Sequence, residues 1–355
     1  MDNIMTQKRQ AFYSIDIAKF LSAFAVIGIH TQVFSCFGDL ANYYSFGVFF
    51  RLAVAFFFVC SGYLFFRKLE FANGKIINCV DNKKKLASYV KRIFVLYVIW
   101  SLVYFLLQFI QWLQNPDISF FHLMISFASS FIIDGSYYHL WYILCLIYAF
   151  PIIYFLLSKF NFKTVTILAV LLYIIHLLMN LNNIVSGLPV VALFSKLYVI
   201  PGAIGQTIFI AIPLITLGGY LANYDCSASK KKIVTLDIAS IIMLIAESSL
   251  IYFLTDKRDY SSYIFFTFVV AVLGFLLLIK SNISTNNPKV YKYLRSMSTL
   301  IYCVHPLIIS IFKIFVDYRN INSIIWFAII SAVCIIISFI LIFLSQKIRI
   351  INYLY

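Results

Sequence analysis

Ten long apolar runs follow one another along this chain, separated by short polar stretches. They cover about 13–34, 43–66, 93–113, 137–158, 163–180, 199–222, 233–254, 262–280, 298–316 and 322–345. The runs are continuous rather than alternating, so they predict helices and argue against a transmembrane β-barrel. Most hold about 18–24 residues, enough to cross a hydrocarbon core about 30 Å thick with some tilt. The expected fold is all-α: a polytopic integral membrane protein of about ten transmembrane helices, forming one membrane-embedded domain over residues 1–355. The first run carries charges and lacks a small-residue cleavage site, so it is expected to stay as the first span rather than be removed as a signal peptide.

Composition sharpens this picture. Of 355 residues, 63% are hydrophobic and 12% charged, more apolar surface than a soluble fold of this length needs. The net charge of +15 raises the question of nucleic acid. Its placement gives a different answer. With the amino terminus inside, most of the 28 basic residues fall in inner loops, while only Lys196, Lys257, Arg258, Lys313 and Arg319 fall outside. Lys19 and Arg51 lie within spans. This bias predicts an even number of spans, both termini cytoplasmic, residence in the cytoplasmic membrane and no nucleic-acid partner. The seven cysteines are scattered with no C-x-x-C pair, so neither a disulfide framework nor a metal site is expected.

Two connections stand out. The inner loop 67–92 carries Arg67, Lys68, Lys75, Lys83, Lys84, Lys85, Lys91 and Arg92 against Glu70 and Asp81. It fits an orientation signal touching anionic lipid, and equally a landing site for a polyanionic ligand. The outer loop 114–136 has no basic residue and holds Pro116, Asp117, Asp134 and Gly135. It reads as a plain connector or as the flank of an entrance for a hydroxyl-rich substrate.

Ionisable groups inside the runs point to chemistry, because each costs at least about 2.5–3.5 kcal/mol near the bilayer centre unless it faces a polar cavity. The first span, Tyr13 to Val33, carries Asp16, Lys19 and His30. At about 100° per residue, Lys19 to His30 is three turns with roughly 20° left over, and Asp16 is one turn before Lys19. The three share one stripe on an otherwise apolar helix. Imidazole is the side chain best suited to take a proton from an alcohol near neutral pH. The plainer alternatives are a structural hydrogen bond for His30 and mutual neutralisation of Asp16 and Lys19. Arg51, well inside the second span, needs a partner or a polar cavity, or else reaches the outer interface. Ser61-Gly62 closes that span with a small pair that permits close helix approach. His139 opens the fourth span among tyrosines and Trp141. His305 precedes Pro306, which loosens the local helix ladder. Glu247 is an acidic residue deep in the seventh span and a candidate partner for Arg51 or a histidine. His122 and His176 have no such context and read as structural. Walker, Rossmann and H-E-x-x-H patterns are absent, leaving ATP-driven transport and metalloprotease chemistry without support.

Five short segments, in order, resemble the membrane acyltransferase 3 family. They are Ile15-Asp16-Ile17-Ala18-Lys19 with His30 eleven residues on, Phe57 through Leu64, Lys91-Arg92, His139-Leu140-Trp141-Tyr142, and Ile301 through Pro306. The likeness is greatest to stand-alone members that O-acetylate surface polysaccharides. The resemblance implies ten helices and transfer of an acyl group from cytoplasmic acyl-CoA, acetyl-CoA above all, to a hydroxyl of a glycan or lipid-linked sugar. No bound cofactor is implied; the thioester is a substrate. His30 maps onto the family's catalytic histidine, with Asp16 and Lys19 beside it. Lys19 stands where arginine is usual, keeping the charge and losing the bidentate fork. Arg51, Ser61, Lys91, Arg92, His139, Trp141, Glu247 and His305 are the expected substrate-binding residues. Separate polysaccharide-biosynthesis proteins are possible partners, alongside the lipid bilayer. A transporter or flippase for a polar solute or lipid-linked sugar is the alternative, although no paired interrupted spans support it.

Overall fold

A computed structural model describes residues 12–114, 119–181, 202–224, 226–254, 265–281 and 287–355. Within them, eleven helices follow in chain order. These are α1 (Tyr13–Thr31), α2 (Asp39–Phe66), α3 (Val80–Gln114), α4 (Phe120–Ile133), α5 (Trp141–Lys159) and α6 (Phe162–Leu181). They continue as α7 (Gly202–Asn223), α8 (Lys230–Leu254), α9 (Phe265–Ile279), α10 (Pro288–Phe315) and α11 (Ser323–Ser345). Among the described residues, nine are long and apolar enough to cross a membrane, while α4 and α9 are apolar but shorter. The protein is therefore an all-α, polytopic membrane protein. The eighth predicted span is the 15-residue α9 within the described part. Pro116, Asp117, Lys196, Lys257, Arg258 and the first residues of the sixth and eighth predicted spans lie outside the described residues.

Apolar side chains face outward as well as inward. Leu102, Ile110, Ile242, Ile325 and Phe339 are all exposed. On helices, whose backbone groups bond within the segment, such a surface suits lipid.

Close backbone packing sets the centre. A Cβ on Gly62 would run into the Ile215 carbonyl, and one on Gly218 into the Val59 carbonyl, so α2 and α7 cross almost backbone to backbone. The Ser61-Gly62 pair does what its size predicts. Both helices carry π-helical turns, at Tyr43–Phe49 and Thr207–Ala211. On the other side of α2, α1 lies beside α10. These two run parallel: Arg295 bonds Asp16, Ser298 bonds the Lys19 carbonyl, and His305 meets His30.

Two connections differ from expectation. Helix α3 has 35 residues, so it is about 52 Å long against a hydrocarbon core of about 30 Å. Its first turns project beyond the bilayer and carry Lys83 to Arg92. The residues before it form a small hairpin, Phe71–Ala72 paired with Lys75–Ile76. Its turn is Asn73-Gly74, both at positive φ (51° and 72°), the conformation that this pair adopts most easily. Buried Asn82 staples the hairpin to α3, accepting from Glu70 N–H (3.1 Å) and donating to the Glu70 (3.0 Å) and Ile77 (2.9 Å) carbonyls. The basic loop is thus a built platform. The connection 114–136 also contains regular structure. Most of it is α4, with Ser119 as N-cap accepting from His122 N–H.

Candidate active site

The polar stripe of α1 faces α10 along its length, with a cavity at one end and a histidine cluster at the other. The cavity holds about 900 Å³ at the basic end of the bundle. Helix α1 contributes Asp16 and Lys19, the end of α2 Ser61, Arg67 and Lys68, and α3 Lys85 and Arg92. Arg295 lies at its rim, and Asn352, Tyr353 and Tyr355 complete the wall. Six cations line the cavity against one carboxylate, Asp16.

That carboxylate is not paired with Lys19. Arg295 holds it with a two-point fork, Nε to Oδ1 at 2.9 Å and Nη2 to Oδ2 at 2.7 Å. Asp16 is buried, while the Arg295 side chain is 57% exposed. By its place in the sequence Arg295 reads as an inner-loop charge, since the ninth apolar run begins near residue 298. The helix starts at Pro288 instead, and its fixed φ suits a first turn. Arg67 lies over the Phe12 ring at 4.5 Å, and Lys85 pairs with Asp81 at 2.5 Å. The Lys19 ammonium and Arg92 guanidinium have no carboxylate partner among the described residues. They are the cations most available to an anion.

Tyr142 and Tyr302 lie at the cavity's inner end, their rings 5.7 Å apart. The Tyr142 hydroxyl lies 3.2 Å from Ser61 Oγ, and the Tyr302 hydroxyl donates to the His139 carbonyl. Against Tyr302 lies the cluster, where three histidines from distant parts of the chain meet. His30 and His305 stack with ring centroids 5.2 Å apart, and His139 and His305 meet edge to face at 5.5 Å. Tyrosines surround them. Tyr138 lies 4.8 Å from His30, Tyr104 5.0 Å from His139 and Tyr302 5.4 Å from His139. His139 and His305 are buried, whereas His30 and Tyr138 retain exposure. Arg51 and Lys313 are the cations close enough to act on His30 electrostatically.

The turn that carries His305 is held in an unusual way. Helix geometry would pair the Leu307 N–H with the Cys303 carbonyl. The Tyr104 hydroxyl stands between them, accepting from Leu307 N–H at 3.1 Å and donating to the Cys303 carbonyl at 2.6 Å. A side chain inserted beside Pro306 opens the ladder without leaving a backbone group unbonded.

The other expected site residues make contacts of their own. Arg51 sits over the Phe46 ring at 5.1 Å. The Glu247 carboxylate accepts from the N–H groups of Phe265 and Phe266, both at 3.0 Å, and so caps α9. Trp141 opens α5 with its ring 6.1 Å from Phe58. Lys91 is exposed and absent from the cavity wall, whereas its neighbour Arg92 lines it. No cluster of histidine, cysteine, aspartate or glutamate suited to a metal occurs among the described residues.

Comparison with known proteins adds an independent line. The family model described as an acyltransferase domain, acyltransferase 3, matches residues 12–343. An amino-acid racemase of Enterococcus faecalis is 26% identical over 95% of this chain and 47% of its own length. A second amino-acid racemase of that organism is 24% identical over 71% of this chain and 34% of its own. A serine/alanine racemase of Enterococcus gallinarum is 24% identical over 83% and 40%. The chain thus spans less than half the length of these curated relatives. No solved structure matches it.

Proposed function

The chain belongs to the acyltransferase 3 family, and from that premise we propose that it is a membrane O-acyltransferase using acyl-CoA, with acetyl-CoA as the donor. The racemase names belong to proteins at least twice as long as this chain. One observation carries the proposal: a cation-lined cavity ends one aromatic ring short of a cluster of imidazoles. A coenzyme A thioester is polyanionic at one end and reactive at the other. Lys19, Arg92 and the rim cations supply the counter-field for its phosphates. Its acyl end then lies against Tyr142 and Tyr302, with the histidines behind them.

In this reading His30 contributes as general base or as transient acyl carrier, and the acceptor is a hydroxyl of a cell-surface polysaccharide or lipid-linked sugar. The basic end faces the cytoplasm and both termini lie there, in keeping with the charge bias. His30 and Tyr138 then approach the opposite face, where such an acceptor would arrive. Membranes containing the protein, supplied with labelled acetyl-CoA, should gain alkali-labile label in their glycan fraction. His30→Ala, inserted to the same level, should not. Solute movement without release of free coenzyme A would favour the transporter reading and defeat this one.

A further inference from the structure

Three imidazoles meet beyond Tyr302, and removing the proton of a hydroxyl that attacks a thioester needs one. Their hydrogen bonding distinguishes them. The His305 Nδ1 lies 3.0 Å from the Ile301 carbonyl, an acceptor and never a donor, so this nitrogen carries the proton. That bond fixes the tautomer and leaves Nε2 with its lone pair. Nε2 is fully buried and makes no hydrogen bond. A buried acceptor of this kind is costly to leave unsatisfied, and a bound substrate hydroxyl would satisfy it. Among the described residues, no hydrogen bond is seen to fix the tautomer of His30, and no side chain hydrogen-bonds either ring nitrogen of His139. The Tyr104 bridge holds the backbone of the same turn, so the His305 ring is the most firmly oriented of the three.

We propose that His305 is a second catalytic imidazole, the base that takes the proton from the acceptor hydroxyl; this rests on the acyltransferase reading above. The acceptor oxygen attacks the acyl carbon, forming the C–O bond. Its proton passes to His305 Nε2. The bond from the acyl carbon to the thioester sulfur breaks, and the imidazolium returns the proton to the departing thiolate. The products are an ester and a free thiol, and His305 ends neutral as it began. His30, stacked on His305 and partly exposed beside Tyr138, holds and orients the entering hydroxyl in this scheme, the general-base step falling to His305 in its place. A base of this kind contributes about 10²–10⁴-fold.

Asparagine separates catalysis from architecture. Its amide N–H can replace Nδ1 at the Ile301 carbonyl, but it has no nitrogen base to replace Nε2. Wild type, His305→Asn and His305→Ala are compared in membranes of equal protein content, with labelled acetyl-CoA as the probe. The readouts are transfer to the glycan fraction and KM for acetyl-CoA. The expected result is a loss of at least about 100-fold in kcat for both variants, with KM held within about threefold. Transfer by His305→Asn within about threefold of wild type would overturn the assignment, because it would show that the Ile301 bond is all His305 provides. Absence of transfer by wild type itself would instead defeat the acyltransferase reading, and this inference with it.

Discussion

The cavity at the basic end collects permanent cations, whereas the cluster beyond Tyr302 holds imidazoles and phenols. Both are lined by α1 and α10, and both lie on the stripe that Asp16, Lys19 and His30 define. They differ in what solvent reaches. The Arg295 side chain is 57% exposed and Arg92 is exposed, while His305 is wholly buried. Cations that meet a polyanion profit from partial solvation, since burying them costs more than the contact returns. Groups that exchange protons gain from fixed orientation, which burial supplies. Under the proposed function, one parallel helix pair separates binding from chemistry along its axis, at a distance of about 16 Å between Lys19 and His30.

That separation makes distinct kinetic signatures the way to break it. The largest effect should come from His30→Ala: kcat for acetyl transfer falls about 10²–10⁴-fold while KM for acetyl-CoA stays put. A rise in KM with kcat unchanged would place His30 in binding and erase the division. Next comes Arg295→Ala, which leaves the buried Asp16 carboxylate without its fork. Since Arg295 is half in solvent, the loss should be on the order of 2 kcal/mol, below that of a fully buried pair. Thermal unfolding in detergent would measure it, and Asp16→Asn added to Arg295→Ala should restore part of the loss. If the double variant is no more stable than the single, the pair is not what holds this wall. Lys19→Ala is a smaller change, with KM for acetyl-CoA raised about tenfold, kcat nearly constant and a difference that shrinks with salt. A salt-independent defect would remove Lys19 from the anion-binding face.

Much of this could be read from the chain, for identifiable reasons. Continuous apolar runs of bilayer length leave little choice of fold, and nine of the expected spans have full-length helices. The stripe on α1 was visible because 3.6-residue periodicity survives any tertiary arrangement. Arg295 escaped because Lys289, Lys292 and Arg295 look like loop charge, although Pro288 marks the helix start and Ser298 and His305 continue the same side of α10. The hairpin has its signal in Asn73-Gly74, within a region whose charge dominates its composition. Helix α4 falls in a predicted loop although its sequence is apolar, since it is too short to span. His139 and His305 were each noted, but their meeting with His30 depends on packing across helices far apart in sequence. Tyr142 and Tyr302 could not be singled out among 25 tyrosines, because only their position between the cavity and the cluster distinguishes them.

The smallest expected effect tests that position most directly. Tyr302→Phe removes the hydroxyl that donates to the His139 carbonyl but leaves the ring across the cavity's inner end. One neutral hydrogen bond is worth about 1 kcal/mol, so transfer should fall by less than about fivefold, with donor KM unchanged. Tyr302→Ala removes the ring as well and joins the cavity to the cluster, so free coenzyme A should appear without acceptor as water reaches the thioester. Thiol release in the absence of any glycan would measure both. If the phenylalanine variant proved as inactive as His30→Ala, the hydroxyl itself would be a reacting group. The boundary between binding and chemistry would then lie on the cavity side of Tyr302.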